Sequence, residues 1–159
     1  MPELVQEFEY YADLQPHNIG PGPFGNRVEA AVTGGELSGD RLKGSFVGAG
    51  ADWLLASPDG FGRLDVRATL QTVDGAFIYF QYFGLLELTP AVLAIMGGGG
   101  DPTNFGDQYF VTNPRLETGD ERYSWVNQTM FVGEGRLLPG PRVEYRVYRL
   151  DSGRSSTPV

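Results

Sequence analysis

The stretch from Gly44 to Gly84 constrains this chain more than any other. It holds three apolar runs separated by glycine-containing turns. From Arg63 to Gln71 the alternation is clean: Leu64, Val66, Ala68 and Leu70 against Arg63, Asp65, Arg67, Thr69 and Gln71. A period of two predicts a half-buried β-strand. Ser57-Pro58-Asp59-Gly60 and Val73-Asp74-Gly75 reverse the chain on either side, because Asp-Gly tolerates the positive φ of a tight hairpin. Ala76 to Phe83, rich in aromatic residues, pairs next. Ala51 to Ala56 precedes, after a Gly48-Ala49-Gly50 break that predicts a bulge or bend.

The pattern extends in both directions. Leu4 to Leu14, Arg27 to Val32, Arg41 to Val47, Gln108 to Thr112, Glu121 to Gly133 and Arg142 to Leu150 read as strands, and Gln15 to Asn26 as a Pro/Gly loop. Thr89 to Met96 is the one good helix, with Thr89 to cap, Pro90 at the first position and Gly97 to end it. Gly97 to Gly106 is a loop that either borders a site or is plain surface. Eight to ten strands joined by short turns predict an all-β antiparallel meander. Closure into a small β-barrel removes the sheet edges and leaves room for one ligand. One barrel domain over residues 1–150 is expected, with a frayed tail over 151–159.

Composition narrows the function. The chain has no cysteine and one histidine, which removes thiol chemistry and multi-histidine metal sites. A net charge of −8 disfavours nucleic acid and anionic membranes, both of which select basic surfaces. No transmembrane run, signal-peptide pattern, P-loop or dinucleotide motif is present, so a cytoplasmic protein without metal or other cofactor is expected.

The residues Gly25-Asn26-Arg27, Gly34-Gly35, Gly44 and Gly50-Ala51-Asp52-Trp53 form a recognisable series. It continues through Leu64-Asp65-Val66-Arg67, Thr72-Val73-Asp74-Gly75-Ala76 and Tyr82-Phe83-Gly84. Arg122-Tyr123-Ser124-Trp125-Val126-Asn127 and Phe131-Val132-Gly133-Glu134-Gly135 complete it. The series resembles the family called domain of unknown function 3237, also uncharacterised protein family 0311, over about Leu4 to Leu150. Gly48-Ala49-Gly50 departs from the Pro-Gly-Gly usual there. The resemblance implies a compact antiparallel barrel, lipocalin-like or allene-oxide-cyclase-like, and a homo-oligomer of two or more copies. It implies no general activity.

The candidate catalytic residues are Asp52, Asp65, Arg67 and Tyr82. Asp52, beside Trp53 and among glycines, is either a desolvated general acid or base or a structural carboxylate at a bend. Asp65 and Arg67 share a strand face. An inward orientation is expected, so that Arg67 holds an enolate or anionic oxygen and Asp65 orients it. The candidate ligand-binding residues are Arg27, Trp53, Tyr123, Trp125 and Asn127. Tyr123, Trp125 and Asn127 would lie on one strand face with Phe131, as aromatic and amide walls of a pocket or as core. Arg27 is a mouth anchor or a structural partner of Asp52 or Asp65. His17, alone in its loop, reads as solvated, and Asp74 as turn chemistry.

Without metal or nucleotide motifs, proton transfer and shape control remain. They fit a cofactor-free isomerase, cyclase or lyase for a small apolar or aromatic molecule, a cyclase of specialised metabolism being one instance. A binding barrel without turnover and an accessory subunit are the alternatives.

Overall fold

The computed structural model describes residues 1–153. Nine strands run in chain order: β1 (Glu3–Gly22), β2 (Gly25–Gly39), β3 (Lys43–Ala56), β4 (Phe61–Thr72), β5 (Phe77–Glu87), β6 (Phe110–Thr112), β7 (Arg115–Glu117), β8 (Phe131–Leu138) and β9 (Arg142–Asp151). Helix α1 (Pro90–Met96) separates β5 from β6, and a 3-10 helix over Glu121–Gln128 separates β7 from β8. Every pairing is antiparallel. β1 to β5 form a meander; β6 and β7 pair one after the other along β5, β6 leads to β8, and β9 returns to β1. The sheet therefore closes into the barrel that the alternation and turns predict.

Helix α1 forms as its sequence signals require. The Thr89 hydroxyl accepts the Val92 N–H at 3.3 Å, Pro90 takes the first turn, and Gly97 caps the end. Val92 and Ile95 bury completely.

Several segments differ from the sequence reading. Gln15 to Asn26 is the tip of a long β1–β2 hairpin rather than a loop. β1 pairs β9 only as far as Asp13↔Arg142, so beyond Asp13 the strand has one neighbour. An edge segment tolerates Pro16 and Pro21, whose missing N–H groups can face away from the ladder. Glu121 to Gln128 is a 3-10 helix rather than the start of a strand. The Asp120 carboxylate accepts the Arg122 N–H at 3.0 Å and starts it. Tyr123 and Val126, three apart, turn inward as that helix requires. Asp151 ends β9 opposite Glu3, so the expected tail starts later than 151; its residues 154–159 lie outside the described residues.

The interior has two halves. One is filled by Phe8, Phe46, Phe80, Phe131, Leu70 and Ile78. The other, towards the β1–β2 hairpin, holds smaller groups and is hollow.

Candidate functional site

The hollow half is a cavity of about 390 Å³. Val28, Ala30, Leu54, Leu64, Val66 and Leu86 supply much of its apolar wall. Asn18 and Asn26 line it from the β1–β2 hairpin, joined by a 3.1 Å bond from Asn26 Nδ2 to Asn18 Oδ1. Met96 and Gly97 line it from the end of α1. Among the described residues, Asp52, Tyr82 and Tyr145 are its titratable groups, and no Lys, Arg or His lines it.

Local backbone irregularity places Asp52. Between Val47↔Thr69 and Ala51↔Arg67, β3 carries two more residues than β4, a bulge at Gly48-Ala49-Gly50 with Gly48 at φ +67°. Past the bulge Asp52 and Leu54 point inward and Trp53 points out. The β3–β4 pairing then lapses between Asp52↔Val66 and Leu55↔Arg63. In that gap the Asp65 backbone N–H donates to Asp52 Oδ1 at 3.0 Å.

Asp52 is 8% exposed, and burial pushes its carboxyl up to about 7. The Asp65 N–H bond and the Arg27 charge pull the other way and do not offset the lost hydration; the Asp65 charge adds to the rise. A carboxyl at this value exchanges protons near neutral pH, in either direction.

Tyr82 and Tyr145 meet from β5 and β9, with 3.3 Å between their hydroxyl oxygens. That is long for an O–H···O bond, so a ligand oxygen has little to displace. Burial raises both phenols well above their ordinary value, and a charged Asp52 raises them further, so both remain donors. Tyr10 stacks on Tyr145 with ring centres 4.8 Å apart, and its buried hydroxyl has no partner among the described residues. Gly135 on β8 lets the rings sit close: a Cβ there would lie 2.8 Å from Phe110 Cδ2 and 2.9 Å from Tyr145 Cε1.

The structure brings together only Asp52 and Tyr82 of the sequence candidates. The expected inward face of Asp65 and Arg67 is the outer face, because Leu64, Val66, Ala68 and Leu70 fill the barrel. Asp65 reaches the site through its backbone N–H alone. Trp53 is 43% exposed outside. Arg27 is also outside the cavity, and its guanidinium donates to the Trp53 carbonyl at 2.9 Å.

Tyr123, Trp125 and Asn127 belong to the 3-10 helix at the filled half, not to a pocket wall. The Tyr123 hydroxyl donates to Asp74 Oδ1 at 2.8 Å, so the Asp74 turn also anchors this helix. Trp125 lies under the Arg41 guanidinium, 3.8 Å from the ring centre, and edge-on to Phe131. The Asn127 amide clamps the Thr118 N–H and carbonyl. His17 pairs with Glu29 on the surface at 3.1 Å.

Tyr145, Asn18 and Asn26 are the polar lining residues that the sequence reading missed. The alternation of Val143, Tyr145 and Val147 was the available signal for Tyr145, since that face is apolar throughout. Among the described residues, no three His, Cys, Asp or Glu side chains converge to hold a metal ion. No helix among them is long and apolar enough to cross a membrane.

The sequence profile of a family described as "Protein of unknown function (DUF3237)" matches residues 2–150. A UPF0311 protein of Rhodopseudomonas palustris is 33% identical over 102 residues, 64% of this chain; the match spans 66% of that relative's length, just under two thirds. A crystal structure of a conserved protein of unknown function from the same organism superposes with a TM-score of 0.85 at 27% identity, over 95% of this chain and 99% of that one. A beta-barrel like protein from Acinetobacter baumannii gives 0.78 at 29% identity, over 95% and 97%. A structure described as an enzyme from Penicillium herquei shares the fold, with a TM-score of 0.65 at 18% identity over 94% and 95%. With a profile match over nearly its whole length and near-complete superposition on barrel structures, this chain belongs to the DUF3237 family of proteins of unknown function.

Proposed function

We propose that the barrel is a cofactor-independent enzyme that moves a proton on a small, uncharged apolar or aromatic molecule held in the cavity. Isomerisation, cyclisation and elimination are the reaction classes that fit. The observation that carries this reading is Asp52, a buried carboxyl raised to about 7 in the wall of an apolar cavity. Near neutral pH it is present in both forms, so it can take a proton from one atom of a ligand and return it to another. Tyr82 and Tyr145 supply donors for an oxygen that gains negative charge on the way. The apolar wall folds and holds the molecule.

An anionic ligand would meet Asp52 with no cation in the lining, which favours neutral compounds. Asn18 and Asn26 offer amide contacts to a polar group at the hairpin side. The Penicillium herquei neighbour is described as an enzyme, so a barrel of this shape hosts catalysis in another protein.

A binding barrel without turnover is the second reading. It is favoured by the bond between Tyr82 and Tyr145, which points these hydroxyls at each other rather than at a ligand. Asp52→Asn separates the two. It keeps the size of the side chain and an oxygen for the Asp65 N–H. With a substrate found by screening neutral aromatic compounds, the expected result is retained affinity and loss of at least a hundredfold in kcat. Unchanged turnover removes Asp52 as the acid or base; ligands that bind and never react support the carrier reading.

A further inference from the structure

The outer face of β3, β4 and β5 is apolar for a surface exposed to water. Trp53 on β3 and Phe77, Tyr79, Phe83 and Leu85 on β5 are 38–59% exposed. Between them runs the outward face of β4. The register sets Phe83 directly beside Asp65, and continues to place Trp53 on its other side. Asp65 has one carboxylate oxygen shut off from solvent with no hydrogen-bond partner among the described residues. Two residues on, Arg67 is exposed and makes no ion pair among the described residues. A half-hidden carboxylate without a cation is unfavourable, and so is a ring of exposed aromatics.

We propose that this face docks a second copy of the chain, with Asp65 of each copy facing Arg67 of the other. A two-fold axis that lies in the interface and crosses β4 at Val66 runs the two β4 strands antiparallel. Asp65 then meets the partner subunit's Arg67, and Arg67 meets the partner subunit's Asp65. Such an isologous contact is self-complementary. Trp53 and Phe83 flank both pairs and exclude water from them, as the contacts that surround an interface hot spot do. Two copies at −8 each repel at long range, so the local ion pairs and the apolar contact of this face must outweigh that repulsion. The contact lies on the outer face and adds no side chain to the cavity lining, so its test needs no substrate and is separate from that of the proposed reaction.

Light scattering on the eluted full chain, with sedimentation across a dilution series, tests this. The expected species has twice the 17.4 kDa chain mass. Arg67→Asp, on an exposed side chain, weakens the dimer at least tenfold, and so does Asp65→Arg. The double variant Asp65→Arg/Arg67→Asp restores it, because the pair is inverted in both copies. Phe83→Ser, also on the surface, weakens it without changing charge. Circular dichroism shows that each variant is folded; should Asp65→Arg fail to fold, Arg67→Asp and Phe83→Ser decide alone. A monomeric parent chain, a dimer indifferent to Arg67→Asp and Phe83→Ser, or a folded double variant that stays monomeric each overturns the proposal.

Discussion

The two halves of the barrel interior are built from the same strands and differ in side-chain volume. β1 gives Phe8 and Tyr10 to the filled half, then Leu14 and Pro16 to the hollow one. β5 gives Ile78 and Phe80, then Tyr82 and Leu86. β3 gives Phe46 before its bulge and Asp52 and Leu54 after it. Large rings at one end interlock, with Phe80 edge-on to Phe8, Tyr10 and Phe46 at centre separations of 5.2–6.2 Å. Ala30, Val28 and Val66 at the other end are too short to meet across the barrel. Packing that anchors the fold is thereby separated from the space that can hold a ligand. Tyr10, Tyr82 and Tyr145 stand at the boundary, with rings that belong to the core and hydroxyls turned to one another or left free.

The largest effect expected from this division is on stability at the filled end. Phe80→Ala removes a ring with no solvent exposure and costs about 3–5 kcal/mol. Denaturant unfolding measures it, and a loss under about 1 kcal/mol would mean that the rings do not anchor the barrel.

Asp52→Asn comes next and has the opposite sign. The native carboxyl titrates near 7 and the unfolded one near 4. Between those values the native state binds more protons than the unfolded state, so stability falls as pH rises. Below pH 4 the penalty is absent; above 7 it is complete, at about 4 kcal/mol for a shift of this size. Asp52→Asn should therefore stabilise the chain at pH 8, change little at pH 4, and flatten the profile between. A parallel offset at all pH values would show that Asp52 does not titrate across that window.

Ala30→Leu sharpens the contrast from the hollow side. Three apolar carbon atoms enter existing space, so stability should move by no more than about 1–2 kcal/mol. Binding of an uncharged naphthalene fluorophore should weaken at least tenfold. Unaltered binding would place the ligand elsewhere than this cavity.

Tyr82→Phe should have the smallest effect on folding, about 1 kcal/mol or less, since it removes one long hydrogen bond and keeps the ring. Its consequence is read in kcat with the substrate found by screening, where loss of a donor to a developing oxyanion gives a drop of tenfold or more. A larger loss of stability than of rate would assign the Tyr82 hydroxyl to the core rather than to the site.

Much of the fold was legible because it depends on local chemistry. The alternation over Arg63 to Gln71, the Asp-Gly turns and the Thr89-Pro90 helix start each act within a few residues. The 3-10 helix was misread because Tyr123, Trp125 and Asn127 imitate a period of two, and the Asp120 cap stands just outside the segment read as a strand. The hairpin tip was misread because Pro16 and Pro21 exclude a central strand. Only the extent of the β9 pairing reveals that this part of β1 is an edge.

The site was legible in part. Asp52 and Tyr82 stand out by residue type, and the structure places both at the cavity. Asp65 and Arg67 stand out equally and lie outside. Alternation sorts a strand into two faces without saying which is concave, and here both faces of β3–β5 carry large groups. The Gly48-Ala49-Gly50 bulge adds two residues, so Asp52 keeps the inward phase of Phe46 and only its partner on β4 changes, to Val66. Closure of β9 onto β1 and β8 brings Tyr145 to Tyr82, 63 residues earlier in the chain. The sequence by itself determined an antiparallel barrel, its turns and its helix, because those follow from short-range sterics and hydrogen bonding. The inward face, the empty half and the company Asp52 keeps were decided by the tertiary structure, because they depend on which distant side chains compete for the same enclosed volume.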